Sequence, residues 1–147
     1  MFKHILVPTD GSGFSNKAVA TGARLARSLG AKLLLLHVRS PLESPHHVEG
    51  GALSNLGGNV MLHEIEDEER KLLDAALAIA AADGTNAETA FIAGYSPYDA
   101  IIRIAGEQGC DLIVMASHGR RGISSLLIGS ETQKVLTHTT VPVLVVR

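Results

Sequence analysis

The sequence predicts an α/β fold: a single domain over residues 1–147, built as an open parallel five-stranded sheet with helices on both faces. Three observations predict it. Short runs rich in Val, Ile and Leu alternate with longer stretches of helical periodicity, the pattern of βαβ crossovers. Three of those runs, Lys32–Val38, Asp111–Ala116 and Val141–Val146, are apolar without alternation, as strands covered on both faces are. A chain of 147 residues, 46% hydrophobic and 19% charged, suits one compact core.

The first strand is His4-Ile5-Leu6-Val7, closed by Pro8, and Gly11 and Gly13 read as the turn into the first helix. In that helix Val19, Gly22, Ala23, Ala26 and Leu29 recur at helical spacing, and Gly30 stops it. The second strand, Lys32–Val38, carries four consecutive leucines. Residues 39–59 then break the rhythm. Ser40-Pro41, Ser44-Pro45-His46-His47, Gly50-Gly51 and Gly57-Gly58 are loop chemistry, so a long loop that sits over the ligand side or is mobile is expected there.

The second helix places Ile65, Leu72, Leu73, Ala76, Ile79 and Ala80 on one face, leaving Glu64, Asp67, Glu68 and Arg70 as a solvated face. The third strand, Thr89–Ile92, is weaker and ends in Ala93-Gly94. The third helix starts at Ser96, a hydroxyl for the N-cap, followed by Pro97 and by Asp99 in the first turn. After the fourth strand, Asp111–Ala116, the fourth helix opens at Ser130-Glu131-Thr132-Gln133, which reads as a capping box. Val141–Val146 is the fifth strand.

Composition excludes several classes of function. The 13 basic and 15 acidic residues give a formal charge of −2, which offers no field for a polyanion, so no nucleic-acid partner is expected. No signal sequence opens the chain and no apolar run approaches the roughly 20 residues of a membrane helix. The lone Cys110 excludes a disulfide framework and suits a reducing, cytoplasmic setting. It reads as a small residue filling a helix-to-strand corner. His46-His47 have no Cys or carboxylate cluster around them and His63-Glu64 lacks the second histidine of HExxH, so no metal site is expected.

In open parallel sheets ligands sit beyond the carboxyl ends of the strands, and two of those ends carry unusual residues. Pro8-Thr9-Asp10-Gly11-Ser12-Gly13 follows the first strand. Ala116-Ser117-His118-Gly119-Arg120-Arg121-Gly122 follows the fourth, and Gly129-Ser130 then opens the last helix. Gly119, Gly122 and Gly129 remove Cβ atoms where main chain would approach a ligand closely. A helix N-terminus favours an anion, and Arg120 and Arg121 add forked donors suited to phosphate. The plain alternative is a glycine-rich turn, a capped helix and solvent-facing arginines.

Other phosphate loops do not fit. No lysine follows the glycines as a Walker A motif requires. A dinucleotide fingerprint begun at Gly11 and Gly13 is broken at Asn16, and the second strand ends His37-Val38-Arg39, without the acidic residue a nicotinamide cofactor needs. Asp10 reads both as a turn former and as a partner for a ribose hydroxyl or for Mg2+ through water. His118 reads as a phosphate contact or as a cap on the strand end. No serine has a nucleophile-elbow context and no general base is evident, which favours binding over turnover, with at most slow hydrolysis.

His4-Ile5-Leu6-Val7-Pro8-Thr9-Asp10-Gly11-Ser12 resembles the opening of universal stress proteins. Ser117-His118-Gly119, nine residues, Gly129-Ser130, and the closing Val141-Pro142-Val143-Leu144-Val145-Val146-Arg147 resemble their C-terminal half. The similarity spans the chain apart from residues 39–59. It implies a Rossmann-like fold, a stress-response sensor or regulator, and ATP, or ADP or AMP, as ligand, with Mg2+ as an accompanying ion. ATP-binding members carry G-x2-G-x9-G-[ST]. Gly119, Gly129 and Ser130 match it, and Ala116 stands at the first glycine.

By the same resemblance, Pro8, Thr9 and Asp10 approach ribose and adenine, and Val38 holds the base through its main chain. Ala116, Ser117, His118, Gly119, Arg120, Arg121 and Gly122 wrap ribose and phosphates, while Ser130, Glu131 and Thr132 take the terminal phosphates. The methyl group of Ala116 either crowds the ligand or is absorbed by a small shift. That leaves open an alternative, a homodimeric scaffold of the same fold that binds no nucleotide. An adenylating enzyme would carry an SGGxDS-like or HIGH-like motif, and neither is present. The resemblance also implies a homodimer through Val141–Val146, an apolar strand that is an aggregation hazard at a sheet edge unless it pairs.

Overall fold

Parallel neighbours in a sheet require a crossover that returns the chain to the same end, and here the crossovers are helices. The computed structural model describes residues 1–39, 57–94, 96–120 and 127–147. Its elements run β1 (His4–Pro8), α1 (Gly13–Leu29), β2 (Lys32–Arg39), α2 (Gly57–Ala82), β3 (Glu88–Ala93), α3 (Pro97–Glu107), β4 (Leu112–Ala116), α4 (Ser130–His138) and β5 (Val143–Val146). The five strands form one sheet in the order β3-β2-β1-β4-β5, with every pair parallel. The expected doubly wound architecture is the one observed.

The uninterrupted apolar runs are explained by two cores, one on each face. Ile5 and Val7 of β1, Leu33 and Leu35 of β2, and Leu112 and Val114 of β4 pack with Ala18, Val19, Ala23 and Ala26 of α1 and Ala76 and Ala80 of α2. The alternate residues Leu6, Leu34, Leu36, Ile113 and Met115 pack with Ile101, Ile104 and Ala105 of α3 and Val135 of α4. Because successive strand residues point to opposite faces, a strand buried on both sides needs an apolar residue at every position. The small residues of α1 let it lie close to the sheet. A Cβ on Gly22 would stand 2.6 Å from Val7 Cγ2. Leu29, expected on this buried face, is 39% exposed at the last helical residue, where Gly30 turns the chain away with a φ of 64°.

Three local expectations are corrected. Gly57 and Gly58 belong to the first turn of α2, not to a loop, and Arg39 closes β2; residues 40–56, with His46 and His47, lie outside the described residues. A glycine pair weakens a helix interior more than its opening turn, where N–H groups have no intrahelical partner in any case. In α3, Ser96 is the N-cap residue but its hydroxyl makes no capping bond; Tyr98 N–H instead donates to Glu131 Oε2 at 2.9 Å.

The capping box at Ser130 does not form either. Gly129 is the N-cap, with no side-chain cap, and Ser130 is already helical. The first helical bond runs from Gln133 N–H to Gly129 O at 2.9 Å, which sets the start one residue earlier.

Candidate functional site

The strand order has one reversal. The chain winds outward from β1 through β2 to β3, then crosses back to lay β4 on the other side of β1. Connections on either side of β1 therefore leave toward opposite faces, and a crevice opens beyond the carboxyl ends of β1 and β4. The β1–β4 pairing runs through Ile5–Leu112 and Leu6–Ile113 only, so the loops beyond it are joined by other means. Those loops are the two the sequence singled out.

On the β1 side, Thr9 is buried, and its hydroxyl lies 3.1 Å from Ser15 Oγ and accepts from Gly11 N–H at 3.3 Å. Ser12 caps α1 by accepting from Ser15 N–H at 3.2 Å, and Gly11 supplies the left-handed turn, with a φ of 76°. Asp10 joins both loops. Its Oδ1 accepts from Ser12 N–H at 2.9 Å and its Oδ2 from Arg120 N–H at 2.8 Å. Burial pushes the Asp10 carboxyl upward, but hydrogen bonds from Ser12, Arg120 and Ser15 outweigh it and hold the group below its ordinary 3.8.

On the β4 side, the loop is stitched to β5 and α4. Ser117 N–H donates to Val146 O at 2.8 Å, and Gly129 N–H donates to Ser117 O at 2.6 Å. Thr132 Oγ1 donates to Ala116 O at 2.9 Å. Ala116 itself is buried in the core cluster that holds Val7 and Val114. His118 is 7% exposed, with Nδ1 2.9 Å from Ser117 Oγ and its ring 5.8 Å from that of Phe14. Its buried Nε2 has no partner among the described residues.

Two of the glycines have a cause within the protein itself. A Cβ on Gly119 would stand 2.6 Å from Asp10 Oδ2, and one on Gly129 would stand 3.0 Å from Ser117 O. At both positions the protein's own atoms already stand close to the space that glycine leaves. Gly122 and Arg121 lie outside the described residues. Arg120 is exposed, and its guanidinium lies over the first turn, with Nη2 3.5 Å from where a Cβ on Gly11 would be.

At the mouth of α4, the side chain of Glu131 is turned toward α3. It accepts from Tyr98 N–H and, through Oε1, from Lys134 Nζ at 2.9 Å. Thr132 is buried and committed to Ala116 O. The helix thus offers its uncapped main-chain N–H groups and the exposed Ser130. Such an end attracts anions. Pro8 ends β1, and Val38 lies one strand away in β2, half-buried. The donor set fits a phosphorylated ligand: uncapped main-chain N–H groups, an unpartnered buried imidazole nitrogen and an arginine at one crevice.

Three residues beside the crevice were not singled out from the sequence. Buried Ser15 bonds Thr9 and the Ser12 carbonyl. His37 is buried, with Nδ1 donating to the Thr9 carbonyl at 2.8 Å and Nε2 2.8 Å from Glu69 Oε2. A histidine interrupting an otherwise apolar strand was the available signal. Glu69 sits within a charged run whose neighbours face solvent, so its 12% side-chain exposure left no mark on the pattern.

Comparison with known proteins gives these features a family. The model of the universal stress protein family matches residues 1–147. Universal stress protein YxiE of Bacillus subtilis is 35% identical over 149 residues, covering 100% of both chains. A universal stress protein solved in complex with cAMP superposes with a TM-score of 0.72 at 26% identity, covering 99% of this chain and 97% of that one. Protein MJ0577 of Methanocaldococcus jannaschii superposes with a TM-score of 0.79 at 27% identity, covering 99% and 96%. With its Rossmann-like sheet, its two loops at the β1–β4 crevice and a match over its whole length, the chain belongs to the universal stress protein family.

Proposed function

We propose that the protein binds an adenine nucleotide, ATP or its ADP and AMP forms, in the β1–β4 crevice and acts as a stress-response sensor or regulator. The observation that carries this reading is the mouth of α4, with no side-chain cap, set beside the buried Nε2 of His118, which has no partner among the described residues. In this reading the main-chain N–H groups of Ser130, Glu131 and Thr132 take the terminal phosphates, aided by the helix dipole. Ser117, His118, Gly119 and Arg120, with Arg121 and Gly122, wrap ribose and phosphates. Pro8, Thr9 and Asp10 flank ribose and base, and the Val38 main chain holds the base edge. Mg2+ would accompany the phosphates, and Asp10, with both oxygens already accepting main-chain N–H groups, would reach it through water.

Two further findings support the reading. A relative 26% identical has been solved with cAMP. The methyl group of Ala116 sits with the core, which favours its being absorbed there and disfavours the scaffold alternative. The test is direct. Protein purified without added nucleotide is denatured and the supernatant assayed for adenine nucleotides, alongside calorimetry with ATP and Mg2+ and with AMP. Either a co-purified nucleotide or saturable binding is expected; neither appearing would sink the reading.

We also propose a homodimer through Val141–Val146. Among the described residues β5 is a sheet edge and Leu144 is 40% exposed, and the outer main-chain groups of such a strand are a template for a second strand. A cytoplasmic setting is proposed on the lone, buried thiol of Cys110; among the described residues no helix is long and apolar enough to cross a membrane.

A further inference from the structure

In a parallel ladder the N–H and C=O of one residue face one neighbouring strand, and those of the next residue face the other. Leu36 O accepts from Thr9 N–H at 2.8 Å, so Leu36 faces β1; Arg39 O accepts from Gly94 N–H at 3.0 Å, so Arg39 faces β3. Val38, two residues past Leu36, therefore faces β1. The β1–β2 register ends at Pro8–Leu36, and its next rung would run from Val38 N–H to the Thr9 carbonyl. Among the described residues that rung is missing. The Thr9 carbonyl accepts instead from His37 Nδ1 at 2.8 Å. We propose that His37 is a positioning residue for base recognition: its imidazole takes the Thr9 carbonyl, ends the β1–β2 ladder one rung early and leaves the Val38 N–H open to the nucleotide base. The inference rests on the nucleotide reading above and extends it from the Val38 main chain to the side chain that frees it.

A carbonyl only accepts, so Nδ1 carries the hydrogen of this bond. The ring is fixed on its other sides. Nε2 stands 2.8 Å from Glu69 Oε2 of α2, and the Phe91 ring of β3 stacks with centroids 5.9 Å apart. Glu69 Oε1 accepts from Arg39 Nη1 at 3.4 Å, so one carboxylate of α2 holds the residues on either side of Val38. His37 is buried on a strand face that Leu33 and Leu35 otherwise supply, where burying a polar ring costs free energy unless its hydrogen bonds are made. The Val38 N–H and C=O, aimed past the end of β1, set a donor beside an acceptor. Adenine offers the complement along one edge, the N1 acceptor beside the N6 donor. Hypoxanthine carries a hydrogen on N1 and offers the N–H no acceptor there.

The test measures AMP and IMP affinity in His37→Leu and His37→Asn. Leucine suits a strand covered on both faces and leaves the Thr9 carbonyl to the Val38 N–H. Asparagine keeps an N–H donor for Thr9 near the place of Nδ1. In His37→Leu, AMP is expected to bind roughly three- to tenfold more weakly, the effect of one hydrogen bond, with IMP affinity unchanged. His37→Asn is expected to restore the preference for AMP. AMP and IMP weakened by the same factor would overturn the proposal, and so would a loss in His37→Asn equal to that in His37→Leu.

A second measurement needs no nucleotide. In the free protein the Val38 amide is expected to exchange its hydrogen quickly in the wild type and in His37→Asn. It is expected to become protected in His37→Leu, where the ladder gains its rung. A side chain that only held the fold together would act in the opposite sense, since its loss speeds exchange. Val38 exchange that is unchanged or faster in His37→Leu would overturn the proposal. A wild-type chain that binds neither nucleotide would defeat the functional reading, and the Val38 amide would then decide whether His37 ends the ladder.

Discussion

An acid that receives main-chain N–H bonds in the folded chain weakens them when it takes up a proton. Asp10 is such a group, and so is Asp111, which accepts from the N–H groups of His4 and Lys3. Those bonds hold both carboxyls below 3.8. The lowered folded value means that the stabilisation is present above about 3.8 and is lost as pH falls through it. Thermal melts across the acid range should show Tm dropping below that point, with a shallower drop in Asp10→Asn; identical slopes would contradict the assignment. Cys110 goes the other way. Burial, and then the charge of Asp111, push its thiol up to about 11. It should therefore resist a disulfide reagent at neutral pH in the native protein and react fully once unfolded. Prompt native-state labelling would be the contrary result.

At the level of elements, the cap residues show what local sequence reads well and what it misses. Ser96 and Ser130 each marked a helix start to within a residue, because hydroxyls, prolines and acids gather there for local reasons. The capping atoms were misread, since the bond to Tyr98 N–H comes from Glu131, 33 residues away. Glu131→Ala should cost about 1 kcal/mol in urea unfolding, the usual size of a cap, and Ser96→Ala close to nothing. The reverse order would restore the local cap. The same bond couples the mouth of α4 to α3. The crevice is thus braced from three sides: by α3 through Glu131, by β1 through Asp10, and by α2 through the Glu69–His37–Thr9 chain.

For the whole molecule, the sheet leaves two edges, β3 and β5. A charged substitution at Leu144, such as Leu144→Lys, should convert the proposed dimer to a monomer in sedimentation, because a lysine on an edge strand opposes pairing. A wild-type chain that sediments as a monomer would remove the dimer outright.

Read alone, the chain of residues determined the succession of strands and helices, their parallel arrangement and the two loops that meet at the crevice. Hydrophobic period and turn chemistry are carried by neighbours in sequence, and a strand covered on both faces announces itself by unbroken apolar residues. Only the tertiary structure decided which atoms stand opposite Gly119 and Gly129, which group caps α3, and that Asp10 reaches Arg120. Those facts depend on strand order and register, which bring together atoms a hundred residues apart, and no local pattern encodes which atom will stand opposite a missing side chain.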